Sequence, residues 1–177
     1  GGLAAWRAAG LDVEAGDPVV EPGDVVLGDG AMPVIGAGEA AMWPGRGLLL
    51  DARAGERYRG EIEPVDPRAG HIPGAVSAPT TENLAADGRF LPAATLRERF
   101  TGLGVQADLP TAVYCGSGVT AAHEIAALEI AGFPAALYPG SFSEWSNDPS
   151  NAVGTGASAD GDEGADGAAQ AAATQGN

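Results

Sequence analysis

The chain has 177 residues, 45% of them hydrophobic, and a formal net charge of −15. That length suits one ordinary domain with ragged ends, and the acidity excludes nucleic acid as a partner, because binding phosphates demands basic patches. No apolar run reaches the length of a membrane span and no stretch has the make-up of a signal peptide, while a single cysteine, Cys115, forbids an internal disulfide and fits a reducing, cytoplasmic setting.

In chain order, residues 1–10 read as one or two helical turns around Trp6, with no strand before them. Residues 11–32 are rich in Asp, Glu, Gly and Pro with scattered valines, the composition of an extended linker. Compact folding is expected from Pro33. Leu48-Leu49-Leu50 before Asp51 is a short, wholly apolar run, as a buried parallel strand requires. Ala75 to Ala78 follows a Pro-Gly turn as a second strand. Ala93 to Phe100 has helical spacing, preceded by Pro92 and ending near Gly102. Thr111 to Tyr114 is the strand that leads into Cys115. Ile125, Leu128 and Ile130 mark a helix closed by Gly132, and Ala135 to Tyr138 is a last short strand broken by Pro139-Gly140. Strands alternating with helices imply an α/β domain with a small, mainly parallel sheet over residues 33–149. Residues 150–177 hold mostly Gly, Ala, Ser, Asp and Gln with one valine, too little apolar surface to offset ordering entropy, so a disordered tail is expected there.

The informative feature is the junction of strand and helix at Cys115-Gly116-Ser117-Gly118-Val119-Thr120. Two closely spaced glycines let successive backbone N–H groups turn inward around one point. The following helix aims its positive end at the same point. Both favour thiolate over thiol, and the thiolate is the nucleophile. The competing reading is an inert buried thiol. In open parallel sheets ligands bind beyond the carboxyl ends of the strands, where Cys115 falls.

Several motifs together resemble the rhodanese superfamily of sulfurtransferases. They are Leu49-Leu50-Asp51-Ala52-Arg53, Arg57-Tyr58-Arg59-Gly60, Gly70-His71-Ile72-Pro73-Gly74-Ala75-Val76, the cysteine loop, and Gly140-Ser141-Phe142-Ser143-Glu144-Trp145. The resemblance implies a rhodanese-like fold with helices on both faces of the sheet. It also implies transfer of a sulfane sulfur from 3-mercaptopyruvate or thiosulfate, through a cysteine persulfide, to a thiol or cyanide acceptor, without a cofactor. The loop looks like that of 3-mercaptopyruvate sulfurtransferases, because thiosulfate-preferring members tend to carry basic residues where Gly116 and Ser117 stand. Phe142 occupies a position where many relatives have Trp. Gly1 to Trp6 is similar to the closing segment of such a domain. Residues 1–10 are therefore expected to be the remnant of a preceding, missing N-terminal rhodanese domain, with residues 11–32 as linker and 33–149 as the catalytic domain. The alternative is a non-catalytic rhodanese-like binding or regulatory module.

The resemblance makes Cys115 the nucleophile and the loop residues Gly116, Gly118, Val119 and Thr120 the cradle of the persulfide. Ser117 is expected to hydrogen-bond the leaving group, or to serve as a simple loop hydroxyl or helix cap. Thr120 has the same ambiguity. Arg57 is expected to grip the substrate carboxylate through two hydrogen bonds, or to pair on the surface with Glu56 or Glu61. Arg68 is carried over as a second substrate-binding arginine, displaced from the family's Glu-Pro-Arg stretch within Glu63-Pro64-Val65-Asp66-Pro67-Arg68. Arg53, Arg59 and Asp51 are read as structural. His71 is expected to brace a turn and His123 to lie on a side face of its helix. Two histidines and one cysteine without ligand spacing predict no metal site. Dual-specificity phosphatases, which need an arginine six residues after the cysteine, are set aside because Ala121 stands there.

Overall fold

The computed structural model describes residues 1–161 apart from 27, 29 and 31. Four strands form one parallel sheet: β1 (Leu48–Asp51), β2 (Val76–Ser77), β3 (Thr111–Tyr114) and β4 (Ala136–Leu137), in the order β2-β1-β3-β4. Among the described residues there are six α-helices: α1 (Gly2–Ala8), α2 (Ala37–Met42), α3 (Gly55–Tyr58), α4 (Ala93–Gly102), α5 (Val119–Ile130) and α6 (Ser141–Asn147). The α/β class and the parallel sheet are as the sequence predicts.

Central β1 and β3 are in register from Leu48↔Thr111 to Asp51↔Tyr114. Successive side chains of a strand point to opposite faces, so each strand feeds two cores. Leu50 and Val113 pack with Leu96 and Phe100 of α4 and with Ile125 and Leu128 of α5. Leu49, Ala112 and Tyr114 pack on the other face with Trp43, Ile72, Tyr138, Phe142 and Trp145. Nearly all of these side chains are removed from water. A parallel sheet covered on both faces needs the continuous apolar runs that made these strands legible.

Pro33 to Ile35 joins the sheet beside β4, with Ile35 N–H donating to the Leu137 carbonyl and Leu137 N–H to that of Pro33, both at 2.9 Å. Helix α1 buries no side chain, and residues 11–26 are exposed.

The segment after Asn147 differs from the expected tail. His71 and Gly154 exchange backbone hydrogen bonds of 2.8 and 2.9 Å, Gly156 N–H donates to Arg59, and Gly74 N–H to Ala159. The approach is close enough that a Cβ on Gly70 would collide with the Gly154 carbonyl. Residues 150–161 are therefore held mainly by backbone pairing, with Val153 alone packed on the second core, which a compositional reading does not register. Residues 162–177, the rest of that expected tail, lie outside the described residues.

Candidate active site

β3 carries Cys115 to the carboxyl end of the sheet, where the chain turns through Gly116, Ser117 and Gly118 into α5. Gly118 has φ +81°, and a Cβ there would sit 2.8 Å from the Pro139 carbonyl oxygen. Conformation and space both demand glycine. The loop's carbonyls are tied away from the cavity by the start of α6: Phe142 N–H donates to Cys115 O and Ser143 N–H to Gly116 O, both at 2.9 Å. Ser141, held at φ +54°, accepts from Cys115 N–H through its hydroxyl oxygen at 3.1 Å and donates to Tyr138 O at 2.8 Å. With the carbonyls so engaged, no hydrogen-bond partner is found among the described residues for the N–H groups of residues 116–120. That leaves a run of free donors at the N-terminus of a twelve-residue helix, the kind of arrangement that attracts anions.

Cys115 is 1% exposed and unpaired, and it opens into a cavity of about 330 Å³. Gly116, Ser117, Val119 and Thr120 line one side, and Ala52 to Ala54, Arg57, Thr80 and Thr81 the other. Ser117 is exposed, and no bond to its hydroxyl is found among the described residues; the helix cap is Gly118 instead.

Arg57 lies against the loop, its Nη1 3.6 Å from where a Gly116 Cβ would be. Its Nη2 donates to Glu63 Oε1 at 2.6 Å and to Asp66 Oδ2 at 3.1 Å, while its Nε is buried without a partner. The expected pairing with Glu56 or Glu61 is replaced by these two carboxylates, and Glu61 pairs with Arg59. Asp66 accepts from the Ser143 hydroxyl at 2.6 Å. Glu63 also accepts from Val65 and Asp66 N–H and faces Arg53 at 3.3 Å. Burial works to raise the Glu63 carboxyl, but the Arg57 and backbone hydrogen bonds bring it below its ordinary value. Arg53 binds Asp51 with two guanidinium nitrogens, donates to Gly70 O, and stacks 3.9 Å from the centre of the Phe142 ring. Arg53 and Asp51 are thus structural, as read from the sequence.

Arg68 is not where the sequence reading put it. It does not line the Cys115 cavity. Its guanidinium donates to the carbonyls of Ser146, Asn151, Trp145 and Asp148 at 2.9, 2.7, 3.2 and 2.6 Å. The physical reason is the C-terminal end of α6, whose unpaired carbonyls attract a cation. Arg68 thus closes that helix end, away from the Cys115 cavity.

His71 braces a turn as expected, its Nδ1 2.8 Å from Tyr58 O and its ring stacked on Tyr58. His123 is on the side of α5, yet its Nδ1 lies 2.7 Å from the hydroxyl of Thr80, a cavity wall residue. Burial lowers the His123 imidazole. The sequence reading missed Thr80, Glu63, Asp66, Ser141 and Ser143. Ser141 and Ser143 stood inside a quoted motif and Glu63 and Asp66 inside the stretch quoted for Arg68, with no role given to any of them, while Thr80 carried no signal. Among the described residues no group of three or more His, Cys, Asp or Glu side chains is placed to hold a metal, and no helix is long and apolar enough to cross a membrane.

The family described as "Rhodanese-like domain" matches residues 37–148. Two relatives carry provisional names. A 3-mercaptopyruvate sulfurtransferase of Pseudomonas aeruginosa is 53% identical over 161 residues, 88% of this chain and 56% of that protein. A thiosulfate sulfurtransferase of Mycobacterium tuberculosis is 46% identical over 159 residues, with the same shares covered. The chain thus spans about half the length of these curated relatives. Among solved structures, the anaerobic ergothioneine biosynthesis enzyme of Chlorobium limicola, in complex with trimethyl histidine, superimposes with a TM-score of 0.77. It is 24% identical and covers 88% of this chain and 40% of that one, a likeness of fold.

Proposed function

The chain belongs to the family of rhodanese-like domains, and on that footing we propose that it is a sulfurtransferase in which Cys115 carries a sulfur atom as a persulfide. The observation that supports it best is the convergence on one cavity of Cys115, the unpaired N–H groups of residues 116–120 and Arg57. In the first half-reaction the Cys115 thiolate attacks the sulfur of 3-mercaptopyruvate. The carbon–sulfur bond breaks, its electron pair passes to carbon, and the proton that was on sulfur ends on that carbon. Pyruvate leaves and Cys115 keeps an S–S⁻ group. With thiosulfate, the sulfur–sulfur bond breaks instead and sulfite leaves. In the second half-reaction a thiol or cyanide takes the outer sulfur and restores the thiolate.

In this reading the backbone N–H groups stabilise thiolate and persulfide anions in turn, with no reorganisation at the moment of reaction. Arg57 binds the donor's carboxylate through Nη1, the nitrogen beside the loop that its two carboxylate partners leave free. Ser117, with its hydroxyl at the cavity and no other bond found among the described residues, hydrogen-bonds the leaving group. Val119 and Thr120 complete the cradle. Neutral Gly116 and Ser117 favour mercaptopyruvate over thiosulfate as donor. A cytoplasmic location fits the unpaired thiol. A preceding rhodanese domain, of which residues 1–10 are the end and 11–32 the linker, fits relatives of which the match covers 56%.

Steady-state kinetics test the proposal. Pyruvate release from mercaptopyruvate should show ping-pong kinetics with a thiol acceptor and vanish in Cys115→Ser. Turnover that survives that substitution would overturn it.

A further inference from the structure

Arg57 is held by two carboxylates rather than one. The side chains of Glu63 and Asp66 are 4% and 2% exposed, against 20% for Arg57. The same cluster continues through Arg53 to Asp51, both buried. Two guanidinium groups therefore face three carboxylates, one negative charge in excess, in a setting too dry for salt to screen well. Opposing it are the loop N–H groups and the start of α5, equivalent to roughly half a positive charge. The wall that meets the donor is thus close to neutral despite its arginine.

We propose that Glu63 and Asp66 are specificity-determining positioning residues, which aim Arg57 at the Cys115 loop and cancel its charge so that the site takes singly charged sulfur donors in preference to doubly charged ones. This rests on the sulfurtransferase reading of the cavity and gives it a substrate class. 3-Mercaptopyruvate carries one negative charge and thiosulfate two. A directional hydrogen bond from Nη1, the nitrogen beside the loop, suits a carboxylate oxygen, whereas net positive charge, which suits a dianion, is absent. Ser143 belongs to the device: its hydroxyl holds Asp66, and its N–H holds the loop at Gly116, so one residue of α6 fixes both the arginine's partner and the cysteine loop.

The test uses Glu63→Gln and Asp66→Asn, each of which removes one charge and keeps an oxygen acceptor. A shift of Arg57 away from the loop removes positive charge and would lower the thiosulfate-to-mercaptopyruvate ratio, whereas the lost negative charge acts twice as strongly on a dianion as on a monoanion and raises it. The ratio of kcat/KM for thiosulfate to that for mercaptopyruvate should rise about tenfold in either variant. Glu61→Gln, in an exposed pair with Arg59, should leave it unchanged. An unchanged ratio in folded Glu63→Gln and Asp66→Asn overturns the inference, and leaves the sulfurtransferase reading intact if the unsubstituted chain turns over mercaptopyruvate. If the unsubstituted chain uses neither donor, the reading itself fails. An independent measurement needs no variant. Sulfate should compete with mercaptopyruvate about tenfold more weakly than methanesulfonate, a monoanion of similar shape; equal competition contradicts the inference.

Discussion

Arg57 and Arg68 come from the same short stretch, and their surroundings give them opposite duties. Arg68 spends four of its five N–H donors on backbone carbonyls at the end of α6 and lies away from the Cys115 cavity. Arg57 commits one nitrogen to Glu63 and Asp66 and keeps a buried Nε without a partner at the wall of the Cys115 cavity. A family likeness marks both positions as arginine, but only the count of spent donors tells a ligand from a brace.

The largest expected break in this contrast is Arg57→Ala. Losing charge-assisted hydrogen bonds to a carboxylate is worth about 1.5–3 kcal/mol, so kcat/KM for mercaptopyruvate should fall by between tenfold and about a hundredfold, mainly through KM. An unchanged KM would return Arg57 to a structural role. Next comes Gly118→Ala in the loop that Arg57 lies against. With φ +81° and the Pro139 carbonyl 2.8 Å away, the added methyl must push the loop open. Misplacing one oxyanion-hole-type donor costs about 2.7–4 kcal/mol in activation energy; a variant with native turnover would show that the loop geometry is not what activates the site.

Arg68→Met sharpens the comparison from the other side. It should lower stability by about 2–3 kcal/mol, seen as a lower urea midpoint, while the KM of the folded fraction stays unchanged. A raised KM at constant stability would reinstate Arg68 as a substrate ligand. The smallest effect concerns pH. The Glu63 carboxyl is depressed below its ordinary value of 4.5, so the stability it contributes is present above that pH and lost as pH falls through the depressed value. The stability gap between the unsubstituted chain and Glu63→Gln, about 1 kcal/mol at neutral pH, should close as the pH drops below 4.5. A gap that widens on acidification would mean that Glu63 is not held as a carboxylate.

Much of the fold was readable because its signals are local. Leu48–Leu50 and Ala112–Tyr114 lie in strands covered on both faces and therefore read as short apolar runs, and α4 and α5 are long enough to show a helical period. Helices α2, α3 and α6 span only 4 to 7 residues, too few for a period, and are held by tertiary bonds. At the site, the glycines around Cys115 betray the loop, since only they permit its backbone path. Arg57 was visible through likeness alone. The Asp66–Ser143 bond joins residues 77 positions apart, and no local pattern announces it. Residues 150–161 were misjudged because hydrogen bonds between backbones leave no mark on composition.

The account stands on Cys115 being able to hold a second sulfur. Intact-mass measurement after brief exposure to 3-mercaptopyruvate without acceptor tests this most directly. It should show one added sulfur per chain, removed by a thiol and absent in Cys115→Ser. An unmodified mass with both mercaptopyruvate and thiosulfate, from folded protein, would contradict it.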